Sequence, residues 1–404
     1  MRVSKSFVLT VASLVVVVAL AGLSAAQTFT TLYSFAGGND GANPYCFLIF
    51  DKLGNLYGTT DSGGVFAFGT IFELSPNGAG GWSESVLHSF NGTDGGTPLD
   101  GLVFDATGNL YGTAGTIFEL MPVSPGVWNL QLLFNPIGTA GANPVAGLIF
   151  DGPTQRLYGT TPDGPDGAGG AVFVVAPSKA GVWSEQILRN HAGGPRAGLV
   201  ADKAGNLYGT TTSGGTGSNG SIFELSHVIG GGWAYRVLYN FTGGADGGTI
   251  NAGLVLDASG NLFGTSTFGG ASNNGTVFEL RRTSGGNWKQ NVLYSFAGGE
   301  DGTLPVGGVV LDSAGNLYGT TQFGGGQGTC QNGSQLEYCG TVFKLSPPRS
   351  VGGSWSESVL YRFTGSNDGA NPGNSLVLDS AGNLYGTALF GGQYGNGTVF
   401  EVSP

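Results

Sequence analysis

One pentapeptide recurs along this chain and constrains its fold more than any other feature. Asn-Leu-Tyr-Gly-Thr begins at Asn55, Asn109, Asn206, Asn316 and Asn383. Asn261 begins a copy with Phe263 in place of Tyr, and Gln155-Arg156-Leu157-Tyr158-Gly159-Thr160 is a degraded seventh. The copies lie mostly about fifty residues apart, with a longer sixth unit, a period that belongs to stacked or ring-forming repeats. Each unit holds four strand-like runs. In the fifth, Ala252–Leu256 is apolar, Asp257-Ala258-Ser259-Gly260 turns the chain, and Asn261–Thr265 runs back. Gly275–Leu280 then reads Gly-Thr-Val-Phe-Glu-Leu, and Trp288–Phe296 closes the unit. β-Branched and aromatic runs bounded by Gly, Asp and Asn are the signature of short strands joined by tight turns.

The ends of the chain separate an open array from a ring. Residues 28–35 form a fourth strand with no partners before it, and residues 375–402 form three strands with no fourth. An open array would leave both edges exposed, whereas a ring joins them. The sequence therefore predicts an all-β fold: a seven-bladed β-propeller of four-stranded blades over residues 27–404, closed by the N-terminal strand completing the last blade.

The tandem phrases Leu-Asp-Ser-Ala-Gly-Asn-Leu-Tyr-Gly-Thr-Thr (Leu311–Thr321) and Gly-Thr-Val-Phe-Glu-Leu (Gly275–Leu280) resemble the bacterial Gloeo-Verruco (GloVer) repeat. The resemblance runs over residues 28–404. It implies an exported repeat protein of the choice-of-anchor tandem-repeat kind and carries no particular activity with it. This chain departs from anchored members in that no anchor segment is expected after its last repeat.

Residues 1–26 have the pattern of a secretory signal: Arg2 and Lys5, an apolar run from Phe7 to Leu23, then Ser24-Ala25-Ala26, with cleavage expected before Gln27. Loss of Arg2 and Lys5 moves the formal net charge from −11 to −13. So acidic a surface argues against a nucleic-acid or anionic-membrane partner. In an exported chain, Cys330 and Cys339, in one Gly-rich loop, are expected to pair as a disulfide. Cys46, in an apolar run, is expected to be a buried small hydrophobe.

If the first strand of each unit lines the channel, the Asp-x-x-Gly hairpins fall on one face. The loops between second and third strands, and those between blades, fall on the other. The first face is monotonous. The second varies: unit two nearly deletes its loop and unit six inserts the Cys330–Cys339 segment, as a binding face would. Asp51, Asp105, Asp151, Asp202, Asp257, Asp312 and Asp379 occupy equivalent hairpins and are expected to be structural, because catalysis needs different groups converging once. The repeated Glu73, Glu119, Glu224, Glu279 and Glu401 give the same expectation.

Two sets of candidates remain on the variable face. Asp40, Asp94, Asp246, Asp301 and Asp368 recur in Asp-Gly loops between blades, either capping their own turns or forming an acidic ring for calcium or a polar ligand. Tyr45, Asp100, Arg196, Asn251 and Asn374 are singular polar residues where first strands begin, and are the candidate ligand-binding set. No metal, catalytic residue or cofactor is assigned, calcium being the one alternative. The three histidines lie away from this face, which argues against zinc or a Ser-His-Asp triad. The expected function is that of a secreted, non-catalytic, monomeric binding or surface-associated protein, extracellular or in the cell envelope. A glycan or protein would bind the variable face. The alternative is a propeller enzyme such as a polysaccharide lyase or lactone hydrolase, for which Tyr45, Asp100 and Arg196 are the available groups.

Overall fold

The computed structural model describes residues 27–403 apart from 79, 137–143, 165–168, 333–334 and 351. The expected leader over 1–26 lies outside the described residues. Seven four-stranded antiparallel sheets form the seven blades of a propeller. Blade one runs Ile49–Phe50, Leu56–Thr60, Thr70–Pro76 and Trp82–Ser89 from the inside outward. Blade seven takes Val377–Leu378, Leu384–Ala388 and Thr398–Ser403 from the C-terminal end and Thr28–Ser34 from the N-terminal end. Thr28 pairs with Ser403 and Ser34 with Thr398, so the ring closes as expected. No helix among the described residues is long and apolar enough to cross a membrane.

Two phrases of the repeat fit each other physically. The Gly of Leu-Tyr-Gly-Thr sits opposite the Phe of Gly-Thr-Val-Phe in the next strand, as Gly264 does opposite Phe278. A β-carbon at Gly264 would stand 2.8 Å from the Phe278 ring and 2.9 Å from Leu254. Glycine is therefore what lets the Phe ring lie under the second strand. The Thr that follows joins neighbouring blades. Its hydroxyl donates to a carbonyl just ahead of the next blade's first strand: Thr59 to Asp100, Thr113 to Ala146, Thr160 to Ala197, Thr210 to Ala252, Thr265 to Gly307 and Thr320 to Asn374. Thr387 donates to the Cys46 carbonyl at 2.9 Å and completes the circle.

The apolar core lies between blades as seven layers. Tyr57, Ile71 and Phe90 of blade one, for instance, pack on Leu102, Leu110, Phe118 and Leu120 of blade two. Leu32, Phe35 and Val399 pack on Leu48, Leu56 and Phe72 across the closure. The Phe ending a fourth strand meets the third-strand Phe of the next blade edge-on, as in Phe35–Phe72 and Phe363–Phe400, with centroids 5.2 and 5.1 Å apart.

The hairpin aspartates hold their own turns. Asp312 accepts from the Ala314 and Asn316 amides, the Asn316 side chain and the Tyr318 hydroxyl. Asp151 departs, accepting from Thr154, because Gln155-Arg156 replaces the usual Gly-Asn. The first strands are shorter than the apolar runs suggest: Val255–Leu256 rather than Ala252–Leu256. Only that far do first and second strands share a ladder, and beyond it the Thr hydroxyl takes over. Cys46 accordingly lies ahead of Ile49–Phe50 rather than within the strand. It is buried, and burial pushes its thiol up to about 12.

Candidate functional site: the central cavity

Aligning the seven first strands by register shows what reaches the channel. One residue before Leu48 and its counterparts stand Phe47, Gly101, Gly147, Gly198, Gly253, Gly308 and Ser375. Five glycines leave the middle of the ring open, and the result is a cavity of about 530 Å³, within the usual size of a small-molecule site. Phe47 extends into it. A β-carbon on Gly101 would stand 2.6 Å from the Phe47 ring and one on Gly147 3.0 Å, so the ring spans from blade one to blade three. Tyr45 leans the other way, its ring against Gly373 of blade seven.

All five singular residues read from the sequence line this cavity: Tyr45, Asp100, Arg196, Asn251 and Asn374, from five blades. Their occupations differ. Asp100 is a clamp: its Oδ1 accepts from the Gly101 amide at 2.8 Å and its Oδ2 from the Gly147 amide at 2.6 Å. Burial pushes its carboxyl up to about 6, against the opposing pull of those amides. Asn251 donates to Thr267 Oγ1 at 2.9 Å, and Asn374 Oδ1 accepts from the Ser375 amide at 3.3 Å. Arg196 is exposed, and no hydrogen bond or ion pair engages it among the described residues. Leu99, Val145 and Val306 supply apolar wall.

Sequence reasoning missed Phe47 and Ser375. Phe47 stands in an apolar run, where nothing local sets it apart from a core aromatic; only the column of glycines at its register position marks it as an exception. Ser375 Oγ accepts from the Gly308 amide at 3.0 Å, a second clamp between blades.

The aspartates of the Asp-Gly loops are taken up by their own turns. The hydroxyls of Tyr33, Tyr239, Tyr294 and Tyr361 donate to Asp40, Asp246, Asp301 and Asp368 at 2.9–3.1 Å, and a nearby backbone amide donates to each. His88 stands in for Tyr at Asp94, 3.0 Å away. The Tyr of the fourth strand and the Asp that follows are thus one unit. Among the described residues, no three His, Cys, Asp or Glu side chains come together to hold a metal. Cys330 and Cys339 are disulfide-bonded, as expected.

The fold and cavity define a seven-bladed β-propeller built from a tandem repeat. The Gloeobacter/Verrucomicrobia repeat model matches residues 19–115 and 183–332, more than half of the chain, and the chain belongs to that family. Among curated proteins none matches. Of solved structures, a putative 6-phosphogluconolactonase from Bacteroides uniformis aligns with a TM-score of 0.52 at 14% identity, over 81% of this chain and 86% of its own. A putative oxidoreductase (glucose dehydrogenase) from Thermus thermophilus aligns with a TM-score of 0.43 at 15% identity, over 93% of this chain and 100% of its own. At such identities the first likeness speaks for the fold alone, and the second carries no argument.

Proposed function

We propose that this protein is an exported, non-catalytic binding propeller that takes a saccharide in its central cavity. The observation that carries the reading is the convergence of Tyr45, Phe47, Arg196, Asn251 and Asn374 on one cavity, in a ring whose other lead-in positions, Cys46, Asp100 and Ser375 apart, are Gly, Ala, Val or Leu. Aromatic faces suit the C–H faces of a sugar ring, and scattered amides with one guanidinium suit its hydroxyls. The binding reading is favoured over catalysis by the state of Asp100. Among the described residues it is the only carboxylate lining the cavity, and both of its oxygens already accept peptide amides. A general base needs a lone pair aimed at substrate and a partner in a different protonation state.

A glycan array probed with the purified chain tests this reading, followed by titration of Tyr45→Ala. Loss of the stacking face should weaken binding by about 1–3 kcal/mol with folding intact. A hit whose affinity ignores Tyr45 would place the ligand elsewhere, and turnover of any bound glycan would favour an enzyme.

A further inference from the structure

We infer that the saccharide of the central cavity is acidic, a uronic-acid residue whose carboxylate is held by Arg196 while its ring lies on Phe47. The inference rests on the saccharide reading and narrows it to one charge class.

Among the described residues two charged side chains line the cavity, and they are not equivalent. Asp100 holds the lead-in segments of blades two and three together, each of its oxygens accepting a backbone amide, and it makes no ion pair with Arg196. Arg196 is the opposite case. Three other guanidinium groups are engaged: Arg236 and Arg282 reach Glu224 at 2.9 and 3.4 Å, and Arg189 lies 4.4 Å over the Tyr235 ring; Arg156 and Arg281 are without such partners among the described residues, but neither lines the cavity. The Arg196 guanidinium has none among the described residues, and it is an exposed group lining a cavity whose other polar side chains, apart from Asp100, are uncharged. A planar fork of donors in that setting matches a carboxylate, which accepts two parallel bonds and brings one compensating charge.

The same accounting argues against a phosphate or sulfate group. A phosphate ester brings nearly two charges at neutral pH. Among the described residues the cavity offers one guanidinium, no lysine or histidine and no helix N-terminus, and Asp100 stands on its wall. A sulfate ester is a monoanion, but its tetrahedral oxygens call for donors beyond the guanidinium, and of the two side-chain amides lining the cavity that of Asn251 already donates to Thr267 Oγ1. Phe47 supplies what a bare anion site lacks, an apolar platform reaching across to Gly147.

The test is calorimetric titration of the intact chain with galacturonate, glucuronate and mannuronate oligosaccharides, each beside its methyl ester and a sulfated counterpart. At least one acid is expected to bind tenfold or more tightly than its ester. Arg196→Gln should erase that difference, the acid losing tenfold or more in affinity and the ester much less, with thermal unfolding unchanged. Phe47→Leu should weaken acid and ester alike. Ester binding equal to acid binding, or a preference for sulfate, would overturn the acidic assignment and leave the saccharide reading standing. Binding of none of these, with neutral glycans also silent on the array, would remove both.

Discussion

Gly264 shows how far a single residue can be argued here. Opposite it lies Phe278, whose ring fills the space a side chain would need. Gly264→Ala should cost about 1–3 kcal/mol by overpacking, visible as a lowered melting temperature. Thr387 can be read in the same way. Thr387→Val keeps its shape but strands the Cys46 carbonyl at ring closure, and should cost about 1–3 kcal/mol. Titration gives a third test at this scale. Burial, reinforced by the charge of Asp40, pushes Glu84 up to about 7. Burial and Asp301 do the same for Glu357, against the opposing charge of Arg362, and burial alone for Glu185. Buried oxygens of Asp40, Glu84, Asp301 and Glu357 have no partner among the described residues, so a proton on each Glu would be welcomed. A carboxyl with a raised folded pKa contributes stability below that pKa and loses it as pH rises through it. In Asp105, Asp202, Asp312 and Asp379 burial is outweighed by hydrogen bonds and the carboxyls are held low, so their stabilisation fails only in stronger acid. Melting temperature should therefore rise from about pH 8 to about pH 5 and fall below about pH 4, with Glu84→Gln and Glu357→Gln flattening the alkaline side. A profile already flat in the parent protein would contradict these assignments.

The insert of blade six is the element that departs most from the repeat. Phe268 and Phe390 occupy equivalent positions in blades five and seven and stand 43% and 46% exposed, whereas Phe323 of blade six is 5% exposed. There the chain folds back over its own loop: the Gly324 amide donates to the Tyr338 carbonyl, and Gly324 pairs with Cys339. The disulfide closes a short loop, so Cys330→Ala with Cys339→Ala should cost roughly 2–3 kcal/mol in the chain-entropy model. Non-reducing peptide mapping should recover this bridge, with Cys46 alkylated only after denaturation. A bridge involving Cys46 would contradict the fold. Strand order and ring closure were legible in the sequence because several phrases recur together and each constrains the next. The Thr latches were not, since a hydroxyl inside a strand gives no sign of reaching the neighbouring blade. The five singular lead-in residues were legible as exceptions to a pattern. Phe47 was not, because an aromatic among apolar residues looks like core until seven registers are compared.

At the scale of the whole molecule, seven similar blades make a ring at whose centre unlike residues from different blades meet. Repetition supplies stability through interlocked Gly–Phe pairs, Thr latches and interblade layers, none of which distinguishes one blade from another. Function has to come from exceptions, and the exceptions Tyr45, Phe47, Asp100, Arg196, Asn251 and Asn374 share a cavity. Closure can be tested by removing residues 28–35, which should leave blade seven with an open edge and lower the melting temperature sharply; unchanged melting would refute the closed ring. The central claim, that this cavity is where a ligand binds, is tested most directly by filling it. Gly253 lines the cavity, and a β-carbon there would meet only the Gly198 carbonyl, at an ordinary 3.5 Å. Gly253→Phe should fold and melt like the parent, with every candidate binding residue intact, and calorimetric titration should show saccharide binding abolished. Parent-like affinity in a folded Gly253→Phe would contradict the account.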